Sequence, residues 1–125
     1  MFFHLYPNAF QPGSAMDIRL QTITDPDKRM VRKFIKDNKE IKESKISTLK
    51  PNEIGYLVVS NCKQNGVEAQ TRVVGTVLEV TLPQAILPKS SSNFTLDFDG
   101  QVPLQIRRSG RNSEENVALS MTQWY

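Results

Sequence analysis

A two-residue rhythm in the second half of the chain limits its folding choices more than any other feature. In "TVLEVTL", Thr76 to Leu82, an extended backbone puts Leu78, Val80 and Leu82 on one side and Val77, Glu79 and Thr81 on the other, because successive strand side chains point to opposite faces. "NFTLDFDG" repeats the rhythm with Phe94, Leu96 and Phe98 predicted to face inward. Strands of this kind are half buried, and a slip of one residue would turn the apolar set outward. Upstream, "EIGYLVVSN" is a mostly apolar strand, Asn65-Gly66 is a dipeptide suited to a tight hairpin turn, and "TRVVG" leads into the next strand. Downstream, "QVPLQIRRSG" and "NVALSMTQW" supply two more candidates. About six strands at this short, regular spacing predict a mainly β chain built as an antiparallel curved sheet or sandwich.

The first half reads differently. "FFHLY" is an aromatic-rich strand candidate, which "PNAFQPGS" breaks with two prolines and a glycine before a loop that runs to residue 24. Residues 25–52 carry a helical pattern: Asp25 can cap, Pro26 suits the first helical position, and Met30, Val31, Phe34, Ile35 and Ile41 recur at roughly helical spacing. Lys28, Arg29, Arg32, Lys33, Lys36, Lys39, Lys42 and Lys45 surround them. The expectation is a basic amphipathic helix fraying near Asn38, or a mobile insertion over 26–50, with its charges on a solvated face because Asp37, Glu40 and Glu43 dilute them.

Composition removes several function classes. At 125 residues the chain is one domain at most, long enough to bury about two-thirds of its unfolded surface. Its net charge of +3 is too small to point to nucleic acid. One cysteine, Cys62, and one histidine, His4, allow neither a disulfide framework nor a two-histidine metal site. His4 is expected to be structural or exposed, and Cys62 a bystander thiol. No apolar run reaches membrane-spanning length, "MFFHLYPNAF" lacks the pattern of a secretory signal, and no P-loop, G-x-G-x-x-G, H-E-x-x-H or G-x-S-x-G occurs. "RRSGR", Arg107 to Arg111, fits the R-x-x-x-R form that opens bacterial cyclic-di-GMP receptor domains, but the D/N-x-S-x-x-G stretch those domains require does not follow. A polar turn between strands is the plainer reading.

The β half resembles a known family in the order and spacing of its segments. "VVGTVLEVTLPQAILPKSSSNFTLDFDGQVP" is similar to the latter part of the N-terminal β-domain of aminopeptidase N-like zinc metallopeptidases, the gluzincins. The matching pieces are the strand Gly75 to Leu82, the proline loop Pro88 to Ser92, and the alternating strand Phe94 to Gly100. "ALSMTQWY" resembles the strand with a T-Q pair that precedes the catalytic domain, and "FFHLYPNAFQPGSAMD" and "GQVPLQIRRSGR" look like a bacterial subgroup. Residues 26–50 would be a subgroup insertion.

The resemblance implies an incomplete β-domain with no catalytic residue and no metal ligand of its own, joined in the parent protein to a catalytic domain that holds zinc and hydrolyses peptides at their N-terminus. Gln123 matches the glutamine of the T-Q pair and is implied to line the substrate cleft. Tyr125 stands where relatives often carry a second Gln or Glu. A phenol there can accept a hydrogen bond from an ammonium but brings no full charge. The isolated chain is expected not to hydrolyse peptides and to self-associate through an unpaired strand edge, and the parent to be exported in a bacterium. A second class stays open: a small β-rich module that holds an anionic partner (nucleic acid, a cyclic dinucleotide or anionic lipid) through the basic segment or "RRSGR".

Overall fold

A computed structural model describes residues 1–122. Its elements run β1 (Phe2–His4), a 3-10 turn (Tyr6–Ala9), α1 (Ala15–Thr22), β2 (Val31–Lys36), β3 (Lys39–Ser44), β4 (Tyr56–Gln64), β5 (Val67–Glu68), β6 (Gln70–Val74), β7 (Val77–Thr81), β8 (Phe94–Gln101), β9 (Gly110–Arg111) and β10 (Leu119–Ser120). Over the described residues the chain is mainly β, with antiparallel sheets and one α-helix. Two three-stranded sheets, ordered β1-β7-β6 and β5-β4-β8, face each other, and two ribbons, β2-β3 and β9-β10, stand apart from them.

The alternation of "TVLEVTL" becomes the floor of the main core. Leu78 and Val80 are buried there with Leu5, Leu57, Cys62 and Ala69, and Leu82 packs against them. Asn65 and Gly66 both take positive φ (49° and 84°), the combination a two-residue primed turn needs, and join β4 to β5. In β4 the register shifts between Ser60 and Lys63, and Asn61 adopts φ 49°. That bulge reverses the strand's parity, so Cys62 and Gln64 rather than Asn61 and Lys63 turn inward. Gln64 is satisfied there: its Nε2 donates to Gln84 O at 2.9 Å and its Oε1 accepts from Gln84 N at 3.1 Å.

A second core lies beside the first, where Phe10, Leu20, Met30, Val31, Ile46 and Ile106 meet. It corrects the expected basic helix. Residues 31–44 form an antiparallel ribbon, with Asp37 and Asn38 at φ 51° and 59° making its turn. Asn and Asp tolerate the left-handed region better than other side chains, and Val31, Ile35 and Ile41 are β-branched, so "DN" flanked by such residues supplies a hairpin where Pro26 had pointed to a helix start. Apolar spacings of three and four serve either structure. The α-helix falls instead in the expected loop, at Ala15–Thr22, where Ser14 Oγ accepts from Asp17 N at 3.2 Å and Asp17 Oδ2 accepts from Gly13 N at 2.8 Å.

Two further expectations change. Among the described residues, "QVPLQIRRSG" and "NVALSMTQW" contribute the end of β8 at Gln101 and the two-residue strands β9 and β10; in the first segment Pro103 has no N–H to give to a ladder. Phe94 and Leu96 are half-buried as predicted, whereas Phe98 is 55% exposed at the open end of the sheet pair.

Candidate functional site

The residues with an implied substrate role, Gln123 and Tyr125, lie outside the described residues. What the structure provides is the lead-in, Ser120 to Thr122, and the clamp that fixes it. Gly110 makes the clamp possible. Its φ is +148°, and a Cβ on it would stand 2.3 Å from the Gln105 Cα, so this close approach of two backbones admits only glycine. With the strands in contact, Gln105 N donates to Arg111 O and Arg111 N to Pro103 O, both at 2.9 Å. β10 then pairs with β9, Ser120 against Gly110 and Leu119 against Arg111. Ser120 Oγ donates to Arg108 O at 2.6 Å, and Ser109 Oγ meets both the carbonyl and, at 2.9 Å, the hydroxyl of Thr122. The chain entering Gln123 is thereby tied to the "RRSGR" loop.

This arrangement disperses the arginines that could have gripped an anion together. Arg111 donates through Nε to Val102 O at 3.1 Å and through Nη2 to Asn52 O. Arg107 Nε pairs with Asp27 Oδ2 at 3.3 Å, and Arg108 is exposed. Arg111 is thus committed to backbone carbonyls, and the three guanidiniums do not converge. Asp27 also takes Arg29 at 2.9 Å. The side-chain hydrogen bond from Arg29, reinforced by one from its backbone, lowers the Asp27 carboxyl from its ordinary 3.8 to about 2. A polar recess of about 250 Å³ beside this pair is lined by Lys28, Arg29, Lys45, Arg107, Glu114 and Glu115. Lys45 pairs with Glu114 at 3.6 Å, so much of its positive charge is already answered.

An apolar groove of about 200 Å³ opens between the two sheets, lined chiefly by Phe3, Leu5, Leu57, Val59, Leu96 and Phe98. His4 stands at its edge, with Nε2 3.2 Å from Thr76 Oγ1. Phe3 and Phe94 pack edge to face at 6.2 Å. The groove has the chemistry to cover apolar side chains and little with which to transfer protons. The "FFHLY" run and the alternation of β8 signalled its residues separately, but nothing in sequence indicated that they share one opening. Cys62 is buried in the core. Among the described residues no three His, Cys, Asp or Glu side chains come together to hold a metal ion, and no helix is long and apolar enough to cross a membrane.

No family model, curated protein or solved structure matches this chain.

Proposed function

We propose that this chain is a non-catalytic N-terminal β-domain of a zinc-dependent aminopeptidase-like metallopeptidase. In this reading it packs on the catalytic domain and helps line the cleft where peptides are cut at their N-terminus. The observation that carries the reading is the order of segments from Gly75 through Phe94–Gly100 to the T-Q pair at Thr122-Gln123. The mainly antiparallel β architecture and the clamp on Ser120–Thr122 support it, because a residue that receives a substrate amine must be held in place. Zinc, where bound in such an enzyme, polarises the scissile carbonyl and activates water. The described residues do not fit that ion, so it falls to the proposed catalytic domain. This chain's own part is binding and orientation: the Gln123 amide oxygen accepts from the substrate ammonium, with the Tyr125 hydroxyl as a second acceptor.

The test is made on the full gene product. Its reading frame should encode H-E-x-x-H after the Tyr125 codon, and the protein should release leucine from a leucine anilide in a chelator-sensitive reaction. Gln123→Ala should lower kcat/KM by roughly tenfold or more, the value of a hydrogen bond to a charged group. A frame without the motif removes the reading, and unchanged kinetics in the variant removes the role of Gln123.

A further inference from the structure

The β2-β3 ribbon concentrates the positive charge of the molecule. Residues 28–45 hold eight Lys and Arg against three Asp and Glu, a net of +5, which leaves −2 for the remaining residues. Its root is fixed: Val31 and Ser44 are buried, Met30 and Ile46 lie in the second core, and Lys45 N donates to Met30 O at 2.8 Å. From that root β2 carries the chain out to Lys36, about 17 Å at ordinary strand rise, with every residue after Val31 exposed.

The register gives the ribbon a specific liability. Lys33 stands directly opposite Lys42 on one face and Lys36 opposite Lys39 on the other. Like charges in directly opposed positions destabilise a strand pair. Lys33 finds Glu40 at 3.3 Å and Lys42 donates to Thr24 O at 2.7 Å. Among the described residues Lys36 and Lys39, which flank the turn, have no acidic partner. Beside them are two large apolar side chains on opposite faces, Ile35 at 78% and Phe34 at 42% exposed. The tip therefore carries the Lys36–Lys39 pair with an exposed hydrophobe on each face of the ribbon.

We infer that the tip of this ribbon, Arg32 to Lys42, docks into an anionic lipid surface. A DNA groove or a folded protein would meet one face and leave the hydrophobe on the other in water. A headgroup layer surrounds an inserted tip. Lipid phosphates and carboxylates then answer Lys36 and Lys39, while Ile35 and Phe34 reach the acyl boundary a few ångströms below, the depth at which amphipathic segments settle. The lysine stems lie along the apolar layer with their ammonium groups in the headgroups.

The experiment is flotation of the 125-residue chain with phosphatidylcholine vesicles containing one-third phosphatidylserine, against vesicles of phosphatidylcholine alone and a random-sequence DNA duplex. The chain should float only with the anionic vesicles, and less at high salt. Lys36→Gln with Lys39→Gln should weaken binding roughly 25-fold, since each lysine near an anionic bilayer contributes about fivefold. Ile35→Trp provides a readout that leaves every lysine in place. Measured against the unsubstituted chain, whose own tryptophan is Trp124, the added emission should shift to the blue when anionic vesicles are supplied. Failure to float, no added blue shift in the Ile35→Trp variant, or duplex binding as tight as vesicle binding overturns the inference.

Discussion

Gly110→Ala is the substitution for which the geometry makes the firmest demand. The new Cβ would lie 2.3 Å from the Gln105 Cα, 2.7 Å from its N and 2.8 Å from its Cβ. Carbon atoms in contact sit near 3.5–4 Å, so the deficit exceeds 1 Å and falls on backbone, which no rotamer change relieves. The backbone at φ +148° adds its own strain for an alanine, of order 1–3 kcal/mol for a sparsely populated conformation. The upper limit is the cost of letting the segment go: the two backbone bonds that join Gln105 and Arg111 to their neighbours, the β9-β10 pair, and the packing of buried Ile106. At about 1 kcal/mol net for each hydrogen bond, the whole effect comes to about 2–4 kcal/mol, or roughly a 10 °C fall in Tm for a domain of this size. Gly13→Ala is the internal control. That glycine also has positive φ, 80°, but nothing lies within 4 Å of an added Cβ, so only the strain of about 1 kcal/mol applies. Thermal melts followed by amide exchange at Gln105 and Arg111 separate the two. Equal Tm losses in both variants, or unchanged protection at Gln105 and Arg111 in the Gly110 variant, would refute the close-approach argument.

Other outcomes follow from the same contacts. Asp27 is lowered from 3.8 to about 2 chiefly by its hydrogen bond from Arg29. A depressed carboxylate adds stability above its unfolded value and loses it as pH falls through the folded one, so Asp27→Asn should flatten the dependence of Tm on pH between about 4 and 2; parallel slopes would contradict this. Leu78 is 1% exposed on the middle strand of its sheet, and Leu78→Ala should cost about 2–5 kcal/mol in urea unfolding, whereas a cost below about 1 kcal/mol would mean the two sheets do not share that core. β6 ends its sheet with all five of its residues exposed, so the chain should self-associate by pairing at an exposed strand edge. Sedimentation showing a single monomeric species at high concentration would exclude that.

How much of this was legible in the residues differs from segment to segment. The period-two signal needed no tertiary context: Leu78 and Val80 had to share a face once the segment was extended, and Asn65-Gly66 could make its primed turn locally. "QVPLQIRRSG" failed for the opposite reason. Its apolar residues do alternate, but the backbone is held by Arg111 reaching Val102 and Asn52 and by the approach at Gly110, contacts between positions that no local pattern joins. The candidate substrate residues illustrate the same limit. The likeness that singled out Gln123 came from segment order, while the clamp leading to it depends on Ser109 and Ser120, ordinary residues until the fold brings them to Thr122 and Arg108.

The basic segment is the most instructive, because its local evidence was real and divided. Met30, Val31, Phe34 and Ile35 satisfy a helix stripe, yet in an extended ribbon the same residues send Phe34 to one face and Ile35 to the other. What decides between the two is a pair of residues without hydrophobicity. Asp37 and Asn38 accept positive φ, and the turn they make lets Phe34 pack across from Ile41 while Val31 and Ser44 descend into the second core. The choice also changes the electrostatics. On a helix, Glu40 and Glu43 would be spread among the lysines and blunt their field. In the ribbon, Glu40 is drawn to Lys33 and Glu43 stands across from Arg32, which leaves Lys36 and Lys39 opposed at the tip. One set of charges is a diluted face in the first geometry and a focused cationic point in the second. The turn residues, rather than the lysines, therefore decide whether this segment can attract an anionic surface.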